Sequence, residues 1–167
     1  MKNLIRKILK EEIELKDYPK GKWSLDSLNF YRRKLPNMPD YVIMDMFSEK
    51  YGKNEEEWLD VNVNLYKDYK WELVKNFPIS LDIFDDPSKE MLIKRVGNKI
   101  MDFVTKDKER HQYQKQQILQ KGVPTEPIIL VKEGDKYALF EGWHRTIQLL
   151  KLHPEGYLYP QVYIGYK

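Results

Sequence analysis

The sequence predicts an α+β protein, a small mixed sheet with packed helices, preceded by a helical N-terminal region. Three observations lead there. Apolar residues recur at helical spacing through much of the first 76 residues. Two short apolar runs, Pro127–Val131 and Tyr137–Phe140, flank a turn that contains Gly134, which describes paired strands. The second run stops at Glu141-Gly142, and helical spacing begins at once. The expected division is a helical region over 1–76 and a strand-turn-helix domain over 77–167.

Taken in order, Met1–Leu15 sets Leu4, Ile5, Ile8, Leu9 and Ile13 among Lys, Arg and Glu, an amphipathic helix that needs a partner surface. Its mixed charges favour docking on the rest of the chain or on a second copy, as in a homodimer, over a lipid surface. Tyr18-Pro19-Lys20-Gly21 supplies a break. Ser24 or Asp26 caps a short helix through Leu28, Tyr31 and Leu35, which Pro36 and Pro39 end. Asp40–Tyr51 reads as a further helix with Gly52 as its stop. Asn54–Lys75 is a longer helical candidate, although the alternation around Val61–Leu65 also suits a strand.

Ile79, Leu81 and Ile83 alternate with Ser80 and Asp82, which suits a short half-buried strand. Asp85, Asp86 and Ser88 offer caps for a helix through Met91, Ile93, Val96, Ile100 and Val104. A more polar helix follows from about Glu109 to Gln120, where Tyr113, Ile118 and Leu119 are the apolar contacts and Gly122 is the stop. The strands at 128–131 and 137–140 come next, then a helix from Trp143 to Leu152 ended by Pro154, then a strand over 161–166. One sheet is expected to gather the strands at 79–83, 128–131, 137–140 and 161–166.

Composition bounds the function. With 41% hydrophobic residues, four Trp, twelve Tyr and six Phe in 167 residues, the chain can build a real core. No cysteine is present, which removes disulfides, thiolate metal sites and thiol nucleophiles together. The absence of a long apolar run or a secretory leader makes a cytoplasmic protein without membrane contact the expectation. Net charge is only +3. Locally, Pro87–Lys121 carries nine Lys or Arg against four Asp or Glu, a stretch suited to phosphates or simply to a solvated helix face.

Strand, glycine turn and helix N-terminus in that order make an anion site, because free backbone N–H groups and the positive end of the helix dipole converge there. Arg145 supplies a permanently charged fork for phosphate, His144 a further donor and Thr146 a hydroxyl. Gly142 permits close backbone approach or a positive φ. The same residues admit a structural reading, with Arg145 paired to Glu141 or Glu126, His144 as a cap and Trp143 in the core.

The segments Pro127-Ile128-Ile129-Leu130 and Tyr137-Ala138-Leu139-Phe140-Glu141-Gly142-Trp143-His144-Arg145-Thr146 resemble the ParB/sulfiredoxin superfamily, over the last third of the chain. In that pattern an apolar strand precedes a second strand ending in an acidic residue, glycine and a His-Arg or Arg-Arg pair. The resemblance implies a ParB/sulfiredoxin-like fold in which the turn and the following helix bind nucleotide phosphates. The contacts it implies are Gly142, Trp143, His144, Arg145 and Thr146, with Arg110 and His111 as additional ones. Where sulfiredoxins carry their catalytic cysteine this chain has Trp143, so sulfinic-acid repair is excluded. The partitioning proteins' DNA-reading segment is not evident. The form closest to Glu141-Gly142-Trp143-His144-Arg145 is that of the superfamily's serine kinases.

On that resemblance the expected function is nucleotide-phosphate binding with phosphotransferase (kinase-like) or nucleotide hydrolase activity. ATP or another nucleotide is the cofactor, with Mg2+ held by Glu141. Glu141 and His144 are the catalytic candidates, and Glu126 is a weaker acid or base. Two other classes remain. A nucleic-acid-binding or nuclease-like module would add Lys94, Arg95 and Lys99 to the site and stack Trp143 on a base. A non-catalytic protein would use nucleotide binding to switch contacts of the helical region.

Overall fold

The computed structural model describes residues 23, 25–47, 63–97, 105–153 and 159–167, with 105–107 described by backbone alone. The expected helix over Met1–Leu15, the break at Tyr18–Gly21, the first part of the Asn54–Lys75 helix, and Lys99, Ile100, Val104 and Pro154 lie outside these residues. The chain divides into two compact units, one reaching to Lys70 and the other spanning Trp71–Tyr166.

In the first unit, helix α1 (Leu25–Lys34) buries Leu28 and Tyr31, spaced three apart on one face. Arg32, Arg33 and Lys34 occupy its last turn, where the dipole favours cations. Helix α2 (Asp40–Met46) follows. Arg32 grips Asp40 with both arms of its guanidinium, at 2.8 and 2.6 Å, joining the end of α1 to the start of α2. Sequence spacing carried α2 on to Tyr51. Instead Phe47 is extended, and its buried ring lies 4.8 Å from that of Tyr31. That aromatic contact draws Phe47 away from the helix path.

A helical turn at 63–66 precedes strand β1 (Lys70–Val74). The expected helix to Lys75 is therefore corrected at its C-terminal end. Only Trp71 and Val74 of β1 are even partly covered, so its sequence carries no alternating apolar signal. The expected strand at 79–83 is also corrected, to a 3-10 turn at Leu81–Ile83. Five residues of alternation cannot separate a strand from a tight turn. Here Phe84 alone bridges to Tyr137 and Asp85 N–H donates to the Tyr137 carbonyl.

Helix α3 (Asp86–Gly97) begins where Asp85 accepts from the Ser88 N–H at 3.0 Å, an N-cap bond. Helix α4 (Thr105–Lys121) starts earlier than its apolar spacing suggested. Of its expected contacts only Ile118 is buried, while Tyr113 and Leu119 are exposed. Gly122 ends it with φ 81°. Strands β2 (Ile128–Glu133) and β3 (Lys136–Glu141) form the expected antiparallel hairpin, pairing Leu130 with Leu139 and Val131 with Ala138. Helix α5 (Trp143–Leu152) then crosses to strand β4 (Val162–Tyr166), which lies parallel to β2 with Ile128 beside Val162.

The sheet order is β1-β4-β2-β3, a small mixed sheet within an α+β protein. Its central strand β2 is buried from Ile128 through Val131. Helix α5 packs against α3, α4 and β2, and its residues Arg145 through Leu150 are all buried. Leu92, Ile118, Ile128, Leu130, Ile147, Leu149 and Val162 form the core around it. Burial of each such side chain contributes about 1.5–3 kcal/mol. Among the described residues no helix is long and apolar enough to cross a membrane.

Candidate functional site

The site starts with a backbone requirement. Between β3 and α5, Gly142 adopts φ 94°, ψ 23°, the left-handed region that side chains disfavour. A Cβ there would also lie 3.3 Å from Ile128 Cα and Cγ1. Two independent constraints thus select glycine. The first intrahelical bond runs from Thr146 N–H to the Gly142 carbonyl at 2.9 Å, and no side chain caps α5 at Gly142. The amides of Trp143, His144 and Arg145 therefore precede the first bonded turn, at the positive end of the dipole. Glu141 reaches the same turn: its Oε2 accepts from the Gly142 N–H at 3.1 Å.

Two histidines meet beside this turn. His144 Nδ1 lies 3.2 Å from His111 Nε2, although His111 precedes it by 33 residues on α4. The rings meet edge to face with centroids 4.5 Å apart. The other His111 nitrogen, Nδ1, lies 3.0 Å from the Gln148 amide nitrogen. His144 and Gln148 are four apart and so share one face of α5. A chain of side chains, Gln148 to His111 to His144, therefore crosses the α4–α5 contact. Sequence reasoning nominated both histidines but missed Gln148, whose signal was its helical spacing from His144.

Arg145 sits differently from expectation. It is 5% exposed, its Nη1 donates to the Pro127 carbonyl, and its Nε lies 3.9 Å from Glu126 Oε2. The guanidinium is directed at the segment entering β2, as in the structural reading of the sequence. Thr146 is fully buried and its hydroxyl has no hydrogen-bond partner among the described residues, so it is sealed beneath the turn. Trp143 is half-buried against the core, and the Arg95 guanidinium stands 5.0 Å from its ring centre. That face is already covered by a cation. Arg110 lies on the exposed side of α4.

The geometry thus collects Gly142, Glu141, His144 and His111 around the start of α5, and turns Arg145 and Thr146 inward. Among the described residues no group of three His, Asp or Glu could hold a metal ion. Glu141 would be a single protein ligand, which suits Mg2+ only in its common mode of one or two carboxylates completed by phosphate and water. Comparison with protein-family models, curated proteins and solved structures gave no match. The functional reading therefore rests on residues and geometry.

Proposed function

We infer that this chain is a nucleotide-phosphate-binding protein of ParB/sulfiredoxin-like fold, with phosphotransferase or nucleotide hydrolase chemistry at the Gly142 turn. The observation that carries the reading is the convergence of His111 and His144 at an uncapped helix N-terminus that a left-handed glycine opens. Chain-distant imidazoles meeting at an anion-attracting point supply what phosphoryl transfer asks of a protein, placed donors and a proton-handling group. Backbone N–H groups of Trp143, His144 and Arg145 would take phosphate oxygens.

His144 would either donate to a phosphate oxygen or accept the proton of an attacking hydroxyl. Glu141 would orient that hydroxyl or hold Mg2+, which when bound neutralises charge on the phosphates. Arg145 acts from behind, holding Pro127 and so the strand that Gly142 packs on. The nucleic-acid alternative draws less support. Lys94 is joined to Glu90 at 2.5 Å and Arg95 to Trp143, so two of its three cations, and its ring, already have contacts within the protein.

Thermal-shift titration with ATP, ADP, CTP and GTP, each with and without Mg2+, tests the proposal. Ligand at 100 times its dissociation constant stabilises the fold by about 2.7 kcal/mol. Phosphorus NMR of the same mixtures separates turnover from simple binding. Loss of the shift in folded H144A, measured from that variant's own apo melting temperature, is the expected result. No shift with any nucleotide would sink the reading, and binding to DNA that weakens steeply with salt would replace it with the nucleic-acid alternative.

A further inference from the structure

The geometry points to Gln148 as a positioning residue that fixes which nitrogen of His144 carries the proton. It refines the proposed phosphate site, and it rests on that reading only for its purpose. Hydrogen-bond polarity sets the direction. An amide nitrogen has protons to give and no lone pair to offer. Gln148 Nε2 faces His111 Nδ1 at 3.0 Å, so Nδ1 accepts and is bare. Neutral His111 then carries its proton on Nε2, which faces His144 Nδ1 at 3.2 Å and donates to it. His144 Nδ1 is thereby bare, and its proton sits on Nε2.

Gln148 is 6% exposed, one turn beyond His144 on the helix that fills the centre of the unit. Turning its amide over would place the oxygen against His111 Nδ1 and reverse both imidazoles together. The amide is thus a two-position selector, seated in the donor position. For the site the consequence is specific. Neutral His144 presents N–H at Nε2, a donor for a phosphate oxygen, and has no lone pair there to take a proton. Proton acceptance from a hydroxyl falls to Glu141. His144 binds the phosphate.

The test is the histidine tautomer, read by long-range proton–nitrogen NMR on the full chain without nucleotide at about pH 8, above the ordinary histidine range. The expected wild-type pattern is Nε2–H on both His111 and His144. In Q148E the carboxylate only accepts, so both rings should shift to Nδ1–H. Leucine at the same position, Q148L, removes the selector and should leave His111 as a mixture of tautomers. Should Q148E not fold, the wild type and Q148L decide alone.

Nδ1–H on either ring of the wild type overturns the inference, as does a Q148L pattern identical to wild type. The outcomes separate it from the proposed function. Nε2–H tautomers in a protein that binds no nucleotide leave Gln148 its role and remove the phosphate site. Reversed tautomers in a protein that does bind nucleotide do the opposite.

Discussion

Replacing Arg145 with alanine separates its two roles, anchor and phosphate clamp. The guanidinium is buried and donates to the Pro127 carbonyl, while its approach to Glu126, at 3.9 Å, is at the outer limit of an ion pair. A hydrogen bond from a charged donor contributes about 1.5–3 kcal/mol. Two buried methylenes of the stem add about 0.8 kcal/mol each. Freed rotamer entropy offsets about 1.5–2 kcal/mol, and the long contact to partly exposed Glu126 adds little. R145A should therefore lose about 2 kcal/mol. Urea unfolding followed by far-UV circular dichroism measures the loss, and R145K, which retains one donor for Pro127, should recover part of it. A change below about 0.5 kcal/mol, with nucleotide affinity abolished per folded molecule, would falsify the anchor role and return Arg145 to the ligand.

Four further outcomes are expected. G142A places a Cβ 3.3 Å from Ile128 in a left-handed conformation and should lose about 2–4 kcal/mol; an unchanged urea midpoint would show that the turn relaxes freely. Gly165 lies under Trp71, where a Cβ would stand 2.8 Å from ring carbons, so G165A should cost about 1–3 kcal/mol and shift the Trp71 indole signal in NMR, and a silent indole would refute the contact. T146V removes a buried hydroxyl that has no hydrogen-bond partner among the described residues, so stability should hold or rise and nucleotide affinity stay constant; weakened affinity would place that hydroxyl on the ligand. Lys89, hydrogen-bonded to Asp82 at 2.9 Å, holds that carboxyl below its usual value, so the pair stabilises above the ordinary carboxylate range and the effect fades as pH falls through the lowered value. K89A should raise the Asp82 midpoint in a carbon-detected titration, and an unmoved midpoint would assign the shift elsewhere.

How much of this was legible in the sequence follows from how local each signal is. The β2–β3 hairpin and the start of α5 were readable because their determinants lie side by side: two apolar runs around Gly134, then glycine where the chain turns left-handed at Gly142. Strand β1 was not. Lys70–Val74 sits at the end of the β1-β4-β2-β3 order and is mostly solvent-facing. Its state is decided by hydrogen bonds to a strand some ninety residues later, so local spacing joined it to the preceding helical segment.

The site divides along the same line. Gly142, Glu141 and His144 are consecutive or nearly so, and their roles at a turn can be argued from type and spacing. Arg145 could not be, because whether its fork faces a ligand or the Pro127 carbonyl depends on where β2 lies. Helix α4 carries the sharpest lesson. Apolar spacing nominated Tyr113 and Leu119, which are exposed, whereas the covered stripe is His111, Gln114 and Ile118 at intervals of three and four. A polar inward stripe is costly unless a partner satisfies it. His111 has its partners in His144 and Gln148 on α5, which are themselves four apart. Each helix alone reads as ordinary and polar; the requirement that half-buried imidazoles and the buried Gln148 amide be bonded is what selects their pairing.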